Sequence, residues 1–176
     1  MSRKYSGKRY GNVEAVDILH QVASIYISTK TPQDYGTGEF HTSTEVHMIK
    51  HIADNPGITV TELARDYGRT KGAISQILKK VEGKGLVCRK ADPGNDNRAF
   101  LYLTLAGETL DQAHRSYDEV KFGESMNMVR GQFSPEEIDT AFQVLETWLD
   151  ARREIQERRM ERKKEEETAK KDEKQV

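Results

Sequence analysis

The chain has 176 residues, which suffices for one domain or for one domain with an extension. Its 28 basic and 29 acidic residues give a formal net charge of −1, and it contains a single cysteine. One cysteine cannot build a disulfide framework, and no apolar run reaches the length of a membrane span, so we expect a cytoplasmic protein without a membrane partner. The sequence lacks phosphate-binding glycine loops, His-Glu-x-x-His and cysteine-pair metal knuckles, so it does not indicate an enzyme.

The near-zero net charge conceals a segregation of charge along the chain. Residues 1–10 carry four basic residues and no acidic one, and residues 58–98 hold nine basic against five acidic residues. Residues 99–150, in contrast, hold three basic against ten acidic residues. A basic segment in an otherwise acidic chain favours a polyanionic partner for that segment, such as nucleic acid.

The N-terminal part predicts a basic arm, one helix and a loop. Residues 1–11 are polar and basic, so we expect a disordered arm. A helix from Asn12 to about Thr29 and the Pro- and Gly-rich loop after it make up residues 12–41. The apolar residues of this helix cover more than one face, which indicates burial against more than one partner: Val13, Val16, Ile18, Leu19, Val22, Ala23, Ile25 and Tyr26.

Three signals for the start or the end of a helix follow in close succession. A capping-box pattern over residues 42–45 opens a helix that ends before Pro56. Thr61 can cap a short helix through Tyr67. Gly68 then ends that helix, because glycine adopts the left-handed conformation at little cost.

Thr70 begins a second helix, over residues 70–84, with two chemically different faces. Its apolar stripe consists of Ile74, Ile77, Leu78 and Val81. Its opposite face carries Lys71, Gly72, Ser75, Gln76 and Lys79. Two short helices joined by a glycine turn, the second with a polar and cationic front, form the helix-turn-helix pattern. Gln and Ser can reach base edges, Lys can reach phosphates, and Gly72 permits close approach.

The residues after this helix predict a β-hairpin wing. Residues 86–91 have strand character, residues 92–97 favour a turn, and residues 100–103 alternate as a returning strand. Asp96 and Arg98 are two positions apart, so they lie on the same side of an extended strand. The carboxylate would hold the guanidinium in a pose that suits entry into a narrow minor groove.

Residues 105–150 predict two further helices. Thr104 caps the first, which Gly123 can bend, and Ser134 caps the second with Pro135 in its first turn. The apolar residues of the second helix are more than a two-helix hairpin can cover: Ile138, Ala141, Phe142, Leu145, Trp148 and Leu149. Residues 151–176 are charged almost throughout and predict a charged helical extension or tail, with pairs such as Glu154 with Arg158.

Several of these motifs together resemble the MarR family of winged-helix transcriptional regulators. They are Thr61-Glu-Leu-Ala, Thr70-Lys-Gly-Ala-Ile-Ser, Val81-Glu-Gly-Lys-Gly-Leu-Val, Asp96-x-Arg98, and Leu103-Thr104 with Gly107. The resemblance implies a mainly α fold, in which N- and C-terminal helices form a dimerisation region around a winged helix-turn-helix over residues 42–104 with a three-stranded β wing. It also implies a homodimer that binds double-stranded DNA at a pseudo-palindromic operator, usually as a repressor.

The expected DNA contacts follow from this arrangement. The second helix would lie in the major groove, and the wing would direct Arg98 into the neighbouring minor groove. Lys71, Lys79 and either Arg65 or Arg69 would hold phosphates. The complete set is Arg65, Arg69, Thr70, Lys71, Gly72, Ser75, Gln76, Lys79, Asp96, Asn97 and Arg98. The alternative is a winged-helix module that uses the same surface to bind a protein.

Two kinds of effector are compatible with the remaining residues. A small molecule could occupy a pocket between the dimerisation helices and the DNA-binding region, lined by Tyr26, Tyr35, Phe40 and Tyr117. The second kind is zinc, because His47 and His114 fall where zinc-responsive members of the resembling family place zinc-binding histidines. Asp118 lies one helical turn after His114, and His51 lies one turn after His47. The histidine-rich stretch of those members is replaced here by Arg115, Ser116 and Tyr117.

Cys88 lies in the strand that leads into the wing. The basic neighbours Arg89 and Lys90 could activate its thiol, as a redox sensor requires. The peroxide-sensing members of the resembling family place their cysteine near the first helix. We therefore interpret Cys88 as structural.

Overall fold

The computed structural model describes residues 9–27 and 31–172, so most of the predicted basic arm lies outside the described residues. Its helices are α1 (Asn12–Ile27), α2 (Ser43–Asp54), α3 (Val60–Asp66), α4 (Lys71–Gly83), α5 (Leu105–Arg130) and α6 (Pro135–Asp172). Its strands are β1 (Gln33–Asp34), β2 (Phe40–His41), β3 (Val87–Asp92) and β4 (Asn95–Leu103). The mainly α fold with a hairpin wing is confirmed. Within the described ranges, no helix is long and apolar enough to cross a membrane.

One apolar core lies beneath the helix-turn-helix and joins α2, α3, α4, β4 and α5. Its fully buried side chains are Val46, Met48, Ile49, Ile52, Leu63, Ile74, Leu78, Val81, Leu101 and Leu110. Complete burial of one such side chain contributes about 1.5–3 kcal/mol. The apolar stripe predicted for the second helix is therefore its buried back, although Ile77 is only partly buried.

Side-chain caps fix where most of the helices begin. Thr42, Thr70 and Thr104 are the N-caps of α2, α4 and α5, as predicted, and Thr42 forms a capping box with Glu45. Ser134 and Glu137 exchange the same pair of hydrogen bonds at the start of α6.

The predicted start of α3 at Thr61 is wrong. Thr59 caps α3, because its hydroxyl accepts from the Glu62 backbone N–H while the Glu62 carboxylate accepts from the Thr59 N–H at 2.8 Å. Thr61 lies inside the first turn. The Thr-x-x-Glu spacing that marks a capping box was present in the sequence at Thr59.

The wing is an antiparallel hairpin with a short tip. β3 and β4 pair from Val87↔Leu103 to Ala91↔Ala99, and an irregularity at Ala91/Asp92 brings Asp92 opposite Asn95. β4 thus begins five residues earlier than the predicted Phe100, since Pro93 and Gly94 alone form the turn. In place of the predicted third wing strand, the structure has a single bridge between Thr59 and Phe100. The chain cannot extend this pairing, because it enters α3 at the next residue.

The outer helices leave wide apolar surfaces uncovered. α5 continues through Gly123 without interruption, and α6 continues from the predicted last helix through the charged extension to Asp172. Exposed apolar residues of α1 are Val13, Val16, Ile18, Val22, Ile25 and Tyr26, and those of α6 are Phe142, Val144, Leu145, Trp148, Leu149, Ile155 and Met160. Patches of this extent mark interaction surfaces.

Two glycines of α5 allow a matched test of how closely α5 packs against the backbone at Leu86. A Cβ at Gly107 would lie 2.1 Å from the Leu86 carbonyl oxygen, whereas a Cβ at Gly123 meets nothing within 4 Å. We expect Gly107→Ala to lower the free energy of unfolding by about 1–3 kcal/mol, and Gly123→Ala to leave it unchanged or raise it by about 0.5–1 kcal/mol. Urea denaturation measures both. Equal stability of the two variants would contradict the close approach of α5 to Leu86.

Candidate DNA interface and effector site

The recognition helix α4 presents a polar, cationic front. Arg69, Thr70, Lys71, Gly72, Gln76 and Lys79 are exposed and Ser75 is half-buried, while Ile74, Leu78 and Val81 have no exposed surface. The Thr70 hydroxyl accepts from the Ala73 N–H at 3.2 Å and so fixes the first turn. Space is open around Gly72, where an added Cβ meets nothing within 4 Å. This front can approach a polyanion closely.

The other end of α4 is tied to α2 by a polar cluster that the sequence did not indicate. Lys84, the C-cap residue, donates to the Phe40 carbonyl at 3.3 Å and to the Glu45 carboxylate at 3.1 Å. Its ammonium also lies 3.4 Å from Nδ1 of the buried His41. We call Lys84, His41 and Glu45 the Lys84 cluster. Both ends of the recognition helix are thereby held.

Two pKa shifts follow from this geometry. Burial lowers the pKa of His41 below its usual 6.5, and the nearby Lys84 charge lowers it further. Burial raises the pKa of Glu45, but hydrogen bonds from the Thr42 N–H and from Lys84 outweigh burial, so its pKa lies below 4.5. At neutral pH the cluster therefore combines a neutral imidazole with an ammonium–carboxylate pair.

The wing carries Arg98 beside a groove. Nε of Arg98 lies 3.8 Å from Oδ2 of Asp92, and the guanidinium lies 5.1 Å from the Phe100 ring centre. The groove, of about 740 Å³, lies between the start of α3 and the wing and is lined by Thr59, Val60, Thr61, Glu62, Arg89, Asn95, Arg98 and Ala99. The side chains of Asp96 and Asn97 lie outside the described residues, so the predicted Asp96–Arg98 pair stays a prediction.

Of the two arginines predicted beside the recognition helix, Arg65 has acidic neighbours. Its Nε lies 3.1 Å from Oδ1 of Asp66 and 3.5 Å from Oε1 of Glu157, which belongs to the charged extension of α6. The second neighbour is 92 positions away along the chain. No local pattern could have revealed it.

A cavity of about 680 Å³ lies between the end of α1, the β1–β2 hairpin, α2 and α5. Three of the predicted pocket residues, Tyr26, Tyr35 and Tyr117, line it. Tyr35 packs edge-to-face on Tyr117, with ring centres 5.1 Å apart. The sequence missed further lining residues, which are Ile25, Gln33, Ser43, Lys50, Arg115, Glu119, Lys121 and Phe122.

The prediction that Phe40 lines this pocket is wrong. Phe40 is 65% exposed and lies outside the cavity lining, whereas its neighbour His41 is 1% exposed. Successive side chains of a strand point to opposite sides, so the inward position of His41 turns Phe40 outwards.

The predicted metal ligands meet at the floor of the same cavity. One ligand atom each of His47, His114 and Asp118 lies within 4.8 Å of the others. Nε2 of His114 is 3.3 Å from Oδ2 of Asp118, and Nδ1 of His114 is buried without a hydrogen-bond partner among the described residues. Burial lowers the pKa of His114, which favours the neutral imidazole that binds metals. His51 lies apart from this cluster, 3.0 Å from Asp66.

Cys88 is exposed on β3. Its basic neighbours Arg89 and Lys90 each contact another side chain. Arg89 pairs with Glu82, and the Lys90 ammonium lies 4.5 Å above the Tyr102 ring. Neither of these two neighbouring cations is therefore directed at the thiol.

A glycine-turn helix pair with a buried back and a cationic front, followed by a hairpin wing, defines a winged-helix protein of the DNA-binding class. The model of the MarR family matches residues 41–99. The transcriptional regulator HosA of Escherichia coli O111:H- is 30% identical over 111 residues, which cover 62% of this chain and 78% of that protein. The HTH-type transcriptional regulator YhjH of Bacillus subtilis (strain 168) is 31% identical over 90 residues, and the match spans only 51% of its length and 51% of this chain.

Solved structures share the fold. FabT of Streptococcus pneumoniae, crystallised in complex with DNA, superposes with a TM-score of 0.59 at 19% identity, over 82% of this chain and 96% of that one. ZitR of Lactococcus lactis, a zinc-responsive MarR family member, superposes with a TM-score of 0.55 at 15% identity. The superposition covers 80% of this chain and 99% of that one. The chain belongs to the MarR family of DNA-binding transcriptional regulators, whose members are generally not enzymes.

The Lys84 cluster gives a pH dependence with a definite sign. Below pH 6.5 the unfolded chain protonates His41 more readily than the folded chain does, so the free energy of unfolding falls as the pH falls from 7.5 towards 5. Each proton taken up on unfolding contributes at most about 1.4 kcal/mol per pH unit. Below pH 4.5 the loss of the Glu45 charge adds to the decline.

We expect His41→Gln to reduce the slope between pH 6.5 and 5 without abolishing it, because glutamine does not titrate whereas the buried His114, whose pKa is also lowered, still does. Denaturation by urea at fixed protein concentration across this range measures the slope. His20→Gln, at an exposed position of α1, is the control. If both variants keep the wild-type slope, His41 is not the titrating group.

Proposed function

We propose that the chain acts as a homodimer that binds a pseudo-palindromic DNA site and represses transcription under the control of an effector. The observation that carries the proposal is the exposed cationic front of α4, held on a fully buried apolar back. The FabT structure in complex with DNA, which shares the fold, supports the DNA partner. The usual mode of action of the family supports repression.

In this proposal α4 enters the major groove, where Gln76 and Ser75 contact base edges. Lys71, Lys79, Arg69 and Arg65 neutralise phosphates on either side. Arg98 of the wing enters the minor groove, oriented by Asp92 and by the Phe100 ring.

The exposed apolar faces of α1 and α6 support pairing of two copies. Val13 and Ile25 of α1 are 75% and 70% exposed, and α6 exposes Trp148 and Leu149 at nearly half of their surface. A second copy would cover these faces and place two recognition helices side by side. Their separation must match one turn of DNA, about 34–36 Å.

The cavity supports effector control because it joins the two functional regions. Its wall includes Ile25 and Tyr26 from α1, while His47 and Lys50 belong to α2, which packs against the recognition helix. A ligand that fits only one arrangement of these helices shifts the population towards that arrangement. DNA affinity changes with it.

A specific observation favours zinc as a second candidate effector. His47, His114 and Asp118 are a donor set that suits zinc, and the buried His114 is held neutral by its surroundings. When bound, zinc would supply a positive charge that links α2 to α5. The three side chains would hold it, and Tyr35 packs against the His114 ring at 5.2 Å to limit its movement.

Selection of binding sites from a random DNA pool, with zinc and with a chelator, tests the proposal. We expect a two-fold symmetric site, bound with an affinity that falls as salt rises, because phosphate contacts release counterions. Failure to enrich any sequence, with no salt-dependent binding, would favour the protein-interaction module instead.

Gly72→Ala tests the docking of α4. The fold accommodates the methyl group, but that group would occupy space next to DNA, so we expect operator affinity to fall about five- to 150-fold, as crowding by about 1–3 kcal/mol implies. Gly83→Ala, at the C-terminal end of the same helix and also in open space, is the matched control. Equal operator affinities of the two variants would contradict the proposed docking of α4 in the major groove.

The zinc candidate has its own test. We expect calorimetry with zinc alone to show binding to the wild type and loss of binding in the double variant His47→Ala, His114→Ala. His51→Ala, one turn along the same helix but paired with Asp66, should bind zinc as the wild type does. Zinc binding that survives the double substitution would exclude this site.

A further inference from the structure

The charged extension of α6 reaches the joint of the helix-turn-helix. The side-chain amide of Gln156 donates to the Gly68 carbonyl at 2.7 Å, and Oε1 of Glu157 lies 3.5 Å from Nε of Arg65. Gly68 is the left-handed residue, with φ of 58°, that turns the chain from α3 towards α4. The extension therefore contacts the segment that sets the direction of the recognition helix.

The contact involves one face of the extension. Among residues 151–162, only Arg153 and Glu157 are partly buried, and they lie one helical turn apart. A Cβ at Gly68 would approach Oε1 of Gln156 to 2.7 Å, so the two elements touch. We call Gln156 and Glu157 the α6 clamp.

The clamp places a carboxylate beside Arg65, a half-exposed arginine that is proposed to hold a DNA phosphate. Nε of Arg65 lies between Oδ1 of Asp66 and Oε1 of Glu157, and the second oxygen of Asp66 lies 3.0 Å from Nε2 of His51. Asp66 is thus fixed within the winged helix-turn-helix, which we call the head, whereas Glu157 belongs to α6, outside the head. A phosphate that approaches Arg65 has to compete with both carboxylates, and only Glu157 can leave without disturbing the helix-turn-helix.

We propose that the α6 clamp is an autoinhibitory contact, in which Glu157 competes with a DNA backbone phosphate for Arg65 while Gln156 holds the extension against the turn at Gly68. This inference rests on the proposed DNA-binding role of Arg65. Release of the clamp adds one phosphate contact per subunit and tightens DNA binding. The competition of one exposed ion pair corresponds to about a two- to fivefold change in affinity.

The test is the salt dependence of operator affinity for Glu157→Gln in the full chain, measured by fluorescence anisotropy. We expect binding about two- to fivefold tighter than wild type, and a slope of log affinity against log salt that is steeper by about 0.9 for each phosphate gained. Glu154→Gln is the matched control, because it removes the same charge one turn earlier on α6, where Glu154 pairs with Arg158. Its slope should equal that of the wild type.

A double-mutant cycle separates competition from a general charge effect. In an Arg65→Gln background, Glu157→Gln should no longer change the slope. The inference is overturned if Glu157→Gln binds like Glu154→Gln, binds more weakly than the wild type, or keeps its effect without Arg65. Absence of DNA binding by the wild type at every salt concentration would instead contradict the proposed function.

Discussion

The burial of one face of α4 is the constraint on which the rest of the structure depends. Ile74, Leu78 and Val81 are fully buried on a helix that packs against α2, α3 and β3, so the opposite face can remain polar, cationic and open. The Thr70 cap fixes one end of the helix, and Lys84 ties the other end to Glu45. A surface that reads DNA has to be presented rigidly, since displacements of about an ångström are enough to lose directional hydrogen bonds.

The second constraint is the apolar surface that a single chain leaves uncovered on α1 and α6. The same α1 contributes Ile25 and Tyr26 to the cavity that contains His114. A ligand in that cavity would therefore contact a helix proposed for pairing and a helix that supports the recognition helix. Ligand binding in the cavity and the distance between the two recognition helices are therefore coupled, so a change in one shifts the equilibrium of the other.

The sequence predicted most of the features whose causes are local, although the equally local cap at Thr59 was placed at Thr61 instead. The caps at Thr42, Thr70 and Thr104 were found because each depends on residues within one turn. The hairpin tip was predicted too long, because the pairing of Asp92 with Asn95 depends on an irregularity in the register that residue types do not encode. The exposure of Phe40 and the approach of Glu157 to Arg65 depend on how distant elements pack, so no short-range pattern carries them. His47 and His114 lie on different helices, so helical spacing predicted that they meet only if those helices pass close together, and the family resemblance supported this.

The most direct test of the central claim uses the single cysteine. Cys88 is exposed on β3, so one spin label per chain can report the separation of two heads by dipolar electron paramagnetic resonance. If two copies pair through α1 and α6, the labelled protein shows dipolar coupling between labels, and the distance distribution narrows to one separation when operator DNA binds. Specific DNA binding by a protein without inter-label coupling would contradict the paired-head account.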